Sequence, residues 1–140
     1  MLISYVPFTA SASELISSTE TIYLEDGSYI VIELNITEQR STSSKTASKS
    51  YTFNGSSGEV KWKATLTGTF TYTGTSASCT AANCTVSITD DVWYIISKSA
   101  SKSGNSAIGN VVMGRRFLGI KIDEETLNMK ITCDASGNIS

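Results

Sequence analysis

Histidine is absent from all 140 residues. With it go the commonest general base, the commonest zinc ligand and the serine–histidine and cysteine–histidine dyads. Proline occurs once and charged residues make up only 17% of the chain. The 11 Lys and Arg against 13 Asp and Glu leave a net charge of −2. That balance supplies no basic field for phosphates and argues against nucleic acid as a partner. No apolar run reaches the roughly 18 to 20 residues that crossing a bilayer requires, so no membrane span is predicted. Glycine-rich phosphate loops and EF-hand patterns are also missing, and no cofactor or metal is predicted.

What is abundant is hydroxyl: 23 Ser and 18 Thr. Thr favours strands, and one stretch shows why it matters here. From Val60 to Gly74, Val60, Trp62, Ala64, Leu66, Phe70 and Tyr72 hold even positions, while Lys61, Lys63 and five Thr hold odd ones. Alternation of this length is a strand with one buried face. Gly68, the one even position without a side chain, is the expected site of a bend or bulge.

Further strands follow from the same period. Thr21 to Leu24 and Tyr29 to Ile36 flank Asp26-Gly27, read as a type I′ hairpin turn, with Ile30, Ile32, Leu34 and Ile36 facing the core. Asn54 to Gly58 is a second hairpin loop, Asp90-Asp91 a third turn and Ser103-Gly104-Asn105 a fourth. Ala107 to Met113 and Arg116 to Ile122 read as strands broken near Gly114, with a turn at Asp123-Glu124-Glu125. The last strand sets Leu127, Met129, Ile131 and Cys133 on one face. Two near-copies, Ser44–Ser50 and Ser97–Ser103, lack apolar periodicity and read as loops or as edge strands protected by lysine. Thr75 to Asn83 reads as a connecting loop.

Eight or more short strands without a helix predict an all-β fold, an antiparallel β-sandwich, with a bent β-barrel as the alternative. The organisation expected is residues 1–12 as a truncated signal-peptide remnant, 13–20 as a flexible lead-in and 21–140 as a single sandwich domain. The signal reading rests on an apolar run ending in Ala10-Ser11-Ala12, a small-x-small cleavage pattern, though without a positive n-region; an ordinary N-terminal strand is the alternative. Export favours pairing among Cys79, Cys84 and Cys133. A Cys79–Cys133 bridge is the pairing favoured, worth about 3 to 5 kcal/mol through loop-closure entropy; three buried thiols are the alternative.

Candidate chemistry is sparse. Carboxylate-dependent hydrolysis needs two acids flanking a cleft, and Glu33, Glu38, Asp90, Asp91, Asp123, Glu124 and Glu125 are available, nearly all at expected turns. Ser99 to Lys102 matches S-x-x-K without its companion motifs. No catalytic residue is assigned. Tyr29, Tyr51 and Tyr94 are candidate surface binding residues, since exposed aromatics on a β face stack on sugar rings or anchor a protein.

Taken together, TIYLEDGSYI from Thr21, W-K-x-T-x-T-G-T-F-T-Y-x-G from Trp62, Cys79-Thr80, S-K-S-A-S-K-S-G-N from Ser97 and the terminal T-C-D-A-S-G-N-I-S resemble a family of small secreted proteins of clostridia and related Firmicutes. The resemblance implies a secreted or cell-surface bacterial protein of unknown activity and brings no catalytic residue. The function expected is a non-enzymatic binding module for an extracellular protein or glycan. The alternatives are a bacteriocin-like or toxin-like protein acting on other cells and, third, a carboxylate-dependent hydrolase.

Overall fold

The computed structural model describes residues 13–39 and 43–140; the expected signal remnant at residues 1–12 lies outside them. Eight antiparallel strands follow one another: β1 (Ser13–Tyr23), β2 (Tyr29–Gln39), β3 (Ser44–Asn54), β4 (Val60–Tyr72), β5 (Ala77–Ile88), β6 (Trp93–Ser103), β7 (Ser106–Phe117) and β8 (Ile120–Thr132). They form a five-stranded sheet ordered β1-β2-β3-β4-β5 and a three-stranded sheet ordered β6-β7-β8. The fold is a β-sandwich of two open sheets, not a closed barrel. β5 and β6 share no ladder; at the end away from their connection, a backbone bond from Cys79 N to Gly104 O (2.8 Å) ties the start of β5 to the β6–β7 turn.

The alternation in β4 is realised as read. Trp62, Ala64, Leu66 and Phe70 are buried and the Thr positions between them stay partly exposed. Opposite them lie Ala107, Val111 and Met113 of β7 and Met129 and Ile131 of β8, all essentially inaccessible. β7 crosses β4 and β5, and β8 crosses β3 and β4. Gly68 has a packing role. A Cβ there would lie 2.8 Å from Ala107 Cβ and 2.7 Å from the Phe70 ring, too close for any real contact. The ladder irregularity falls next to it, between Thr69 and Phe70, where β5 carries Thr80 as the extra residue.

Several expectations are corrected. Ser13–Glu20, expected as a lead-in, form most of β1 because β2 offers a matching partner through Gln39. The Ser- and Lys-rich Ser44–Ser50 is neither loop nor edge; β3 is central, paired on both sides. Its small side chains let Ala47 pack with no exposed surface. Thr75 to Asn83 is mostly strand β5. The β1–β2 connection is a three-residue loop closed by Leu24 N to Ser28 O (2.8 Å), with only Gly27 at positive φ, not a two-residue type I′ turn. Cys79, Cys84 and Cys133 are free and buried, so the expected Cys79–Cys133 bridge is not formed. Burial pushes all three thiols above their ordinary value, as suits small apolar core residues.

The β7–β8 hairpin differs most. β7 runs unbroken through Gly114 and β8 through Asp123-Glu124-Glu125, and the chain reverses instead at Leu118-Gly119. Both of those residues have positive φ, 53° and 79°, the signature of a type I′ turn.

The steric argument at Gly68 gives a direct check. Gly68→Ala is expected to destabilise by about 1–3 kcal/mol, read as a lower urea midpoint at unchanged slope; no loss of stability would contradict the close sheet approach.

Candidate functional site

An antiparallel meander returns alternate turns to the same end. Here the β1–β2, β3–β4 and β5–β6 turns and the outer parts of β7 and β8 surround a pocket of about 510 Å³. The β1–β2 and β3–β4 loops share one geometry. Each is closed across three residues, by Leu24 N to Ser28 O and by Gly55 N to Glu59 O (2.8 Å each), with glycine at positive φ in the third position. An aromatic group lies against the pocket. Phe53 stacks on Trp62 at 5.5 Å and 5°, and Trp93 tilts against both, at 5.3 and 6.0 Å. Of the three, Phe53 and Trp93 line the pocket.

The walls are acidic. Glu25, Asp26, Glu59, Asp90, Asp123 and Glu125 line the pocket with only Lys61 and Arg115 against them. Lys61 Nζ bonds Asp90 Oδ2 at 3.0 Å and Glu59 Oε1 at 3.1 Å, which raises the lysine's pKa through Asp90 first and then Glu59. Arg115 pairs with Asp123 at 3.7 Å and lies over the Trp93 ring at 5.8 Å. Asp26 accepts from Ser28 N at 3.0 Å and from the Ser28 hydroxyl. These two cations are therefore already engaged, and among the described residues Glu25, Asp26 and Glu125 have no cationic partner within ion-pair distance.

The carboxyls are pushed in opposite directions. Asp26 is held low by its bonds from Ser28, Asp90 by Lys61, and Glu59 by its own backbone amide and then Lys61. Glu125 is raised, by burial first and then by the charges of Asp123 and Asp26. Two buried donors have no hydrogen-bond partner among the described residues, Arg115 Nε in the pocket wall and Trp62 Nε1 in the aromatic group against it. Folding compromises collect at this end, and such concentrations mark functional surfaces more often than scaffolds do. Among the described residues no group of three or more His, Cys, Asp or Glu is placed to hold a metal ion. Nor is any helix among them long and apolar enough to cross a membrane.

The three candidate tyrosines are not brought together. Tyr29 lies beside Tyr23 (ring centroids 5.6 Å apart) near the β1–β2 turn. Tyr51 packs against the core from the inner face of β3. Tyr94 fills the space over Gly114 and carries Arg116 at 4.8 Å. Of the acids singled out from the sequence, Asp90, Asp123 and Glu125 reach the pocket, whereas Glu25, Asp26 and Glu59 were not singled out. The signal available for them was their position in or beside hairpin loops, which a meander stacks at one end. No protein-family model, curated protein or solved structure matches the chain.

Opposed shifts give opposed pH dependence. Asp26 and Asp90, whose folded pKa lies below the ordinary 3.8, add stability above that value and lose it as pH falls through the folded one. Glu125, raised above 4.5, does the reverse, and its contribution is lost as pH rises through its folded value. Glu125→Gln is therefore expected to raise Tm at neutral pH and to match the parent below about pH 4, where the carboxyl is protonated in both states. Calorimetry across this range tests it, and a lower Tm at pH 7 would contradict the assigned cause. Asp90→Asn should lower Tm at neutral pH and flatten the acid limb.

Proposed function

We propose that the protein is a secreted or cell-surface, non-enzymatic binding module that holds an extracellular protein or glycan at the pocket made by its hairpin turns. The observation that carries this is the pocket itself, built from turns distant in sequence and lined by six carboxylates against two cations. A fold without such a purpose gains nothing from gathering like charges, because they repel and one of them is held partly desolvated. Aromatic and charged groups converging on one cavity make the usual default site. The resemblance to small secreted clostridial proteins is in keeping with it, as is a surface rich in Ser and Thr. Chemical-shift mapping with ligands from a glycan and peptide screen is expected to move Leu24 to Ser28, Trp93 and Arg115. Shifts confined to the opposite end of the sandwich would sink the proposal.

One observation favours a second reading. Glu125, pushed up by burial and the charges of Asp123 and Asp26, shares one cavity with Asp90, held low by Lys61, and two carboxyls in unlike surroundings flanking a cleft are what general acid–base hydrolysis uses. The two readings part on Glu125→Gln. Under hydrolysis it abolishes turnover and spares binding; under the binding reading there is no turnover to lose and affinity falls.

A further inference from the structure

The tip of the β7–β8 hairpin is built against the needs of folding. The first position of a type I′ turn favours Asn, Asp or Gly, because an L side chain at positive φ crowds the backbone. This chain places Leu118 there, at φ 53° and 85% exposed. Its neighbours Phe117, Ile120 and Ile122 are 62%, 68% and 53% exposed. A lone exposed apolar side chain requires no explanation, but four on one turn do.

The tip adjoins the pocket. The pocket lining ends at Arg115 and Asp123, and Phe117 stands two positions beyond Arg115 on β7, past a ladder irregularity between Arg115 and Arg116 that lies opposite the extra residue Ile122 of β8. Ile120 pairs across from Phe117. The two cations nearest the tip are held elsewhere, Arg116 over Tyr94 and Lys121 on Glu124 at 2.8 Å. An apolar projection therefore stands beside an acid-lined cavity.

Resting on the pocket reading above, we propose that the ligand is a protein, which places an arginine or lysine in the pocket while adjacent apolar side chains cover Phe117, Leu118 and Ile120. Charge decides among the occupants. An anionic bilayer is repelled by the six pocket carboxylates, and a second copy presenting the same end would set those carboxylates against each other. A neutral glycan leaves the apolar tip uncovered. A basic segment flanked by apolar residues satisfies both halves, giving an apolar anchor beside a charge that neutralises Glu25 and Glu125.

The test uses fluorescein-labelled octapeptides of alternating leucine and arginine, glycine and arginine, or leucine and glutamate, read by anisotropy against the full chain. The leucine–arginine peptide is expected to bind at least about ten-fold tighter than either control, the scale of one hot-spot contact. Leu118→Asn relieves the turn, so it should raise Tm while weakening that peptide about ten-fold and leaving the glycine–arginine peptide unchanged. Glu125→Gln, expected to fold at least as well as the parent, should weaken both arginine peptides. Equal binding of the two arginine peptides, or indifference to Leu118→Asn while Glu125→Gln still weakens binding, overturns the docking proposal and leaves the pocket reading standing. No binding by the parent, or binding that neither variant alters, overturns the docking proposal, and the pocket reading is then decided by the chemical-shift mapping alone. Tight binding to vesicles of phosphatidylcholine and phosphatidylglycerol that Leu118→Asn abolishes would replace the protein with a membrane.

Discussion

The glycine-lined crossing of β4 and β7 sets the terms for the rest of the molecule. Gly68 of β4 leaves room for Ala107 and the Phe70 ring, and Gly109 of β7 leaves room for Leu66 and Met129, each 3.1 Å from where a Cβ would stand. Interiors are packed as densely as organic crystals, so two missing side chains allow the backbones to close without a void. Leu66, Phe70, Val111, Met113 and Met129 then fill the space on either side and are effectively inaccessible. The three-stranded sheet lies over β3, β4 and β5, and Ile30, Leu34 and Ile36 of β2 pack, partly buried, at the margin of the same core.

A meander built around such a crossing has two unlike ends. At one, the tail after β8 folds back. Cys133 bridges Ile139, Thr132 and Ser140 exchange two backbone bonds, and Gly74 N reaches Ala135 O. Those bonds satisfy backbone groups, and this end is a closure. At the other, the turns after β1, β3, β5 and β7 come together around a few backbone bonds, Thr89 N and Asp90 N to Lys61 O and Arg116 N to Val92 O, with the acid-lined pocket and the apolar tip left open beside them. Groups separated by a hundred residues, Glu25 and Glu125, share a wall there because the topology reverses direction an even number of times between them.

Stability and purpose pull against each other at that end. Glu125 is held partly desolvated beside like charges, and Leu118 occupies a backbone conformation that suits glycine or asparagine. Natural chains carry such local costs where function requires them and compensate elsewhere. Compensation here is visible in the stacked Phe53 and Trp62, in Lys61 bridging Glu59 and Asp90, and in the fully packed β4–β7 centre.

Alternation in β4 and β8 was legible from residues alone, because the covalent geometry of a strand sends successive side chains to opposite faces whatever lies beyond. The class of fold, the core faces of both strands and the turns at Asp26-Gly27, Asn54 to Gly58 and Asp90-Asp91 follow from that and from turn chemistry. Partnership did not follow. Ser13–Glu20, Ser44–Ser50 and Thr75 to Asn83 have no strong local preference, and only the hydrogen-bonding edges of neighbouring strands make them β1, β3 and β5. The β7–β8 reversal was read at Gly114 and at the acids 123–125 because those residues favour turns, whereas tertiary pairing places it at Leu118, which does not. The pocket depends wholly on the fold, since bringing six carboxylates to one cavity is a property of how turns stack, and no local pattern encodes it.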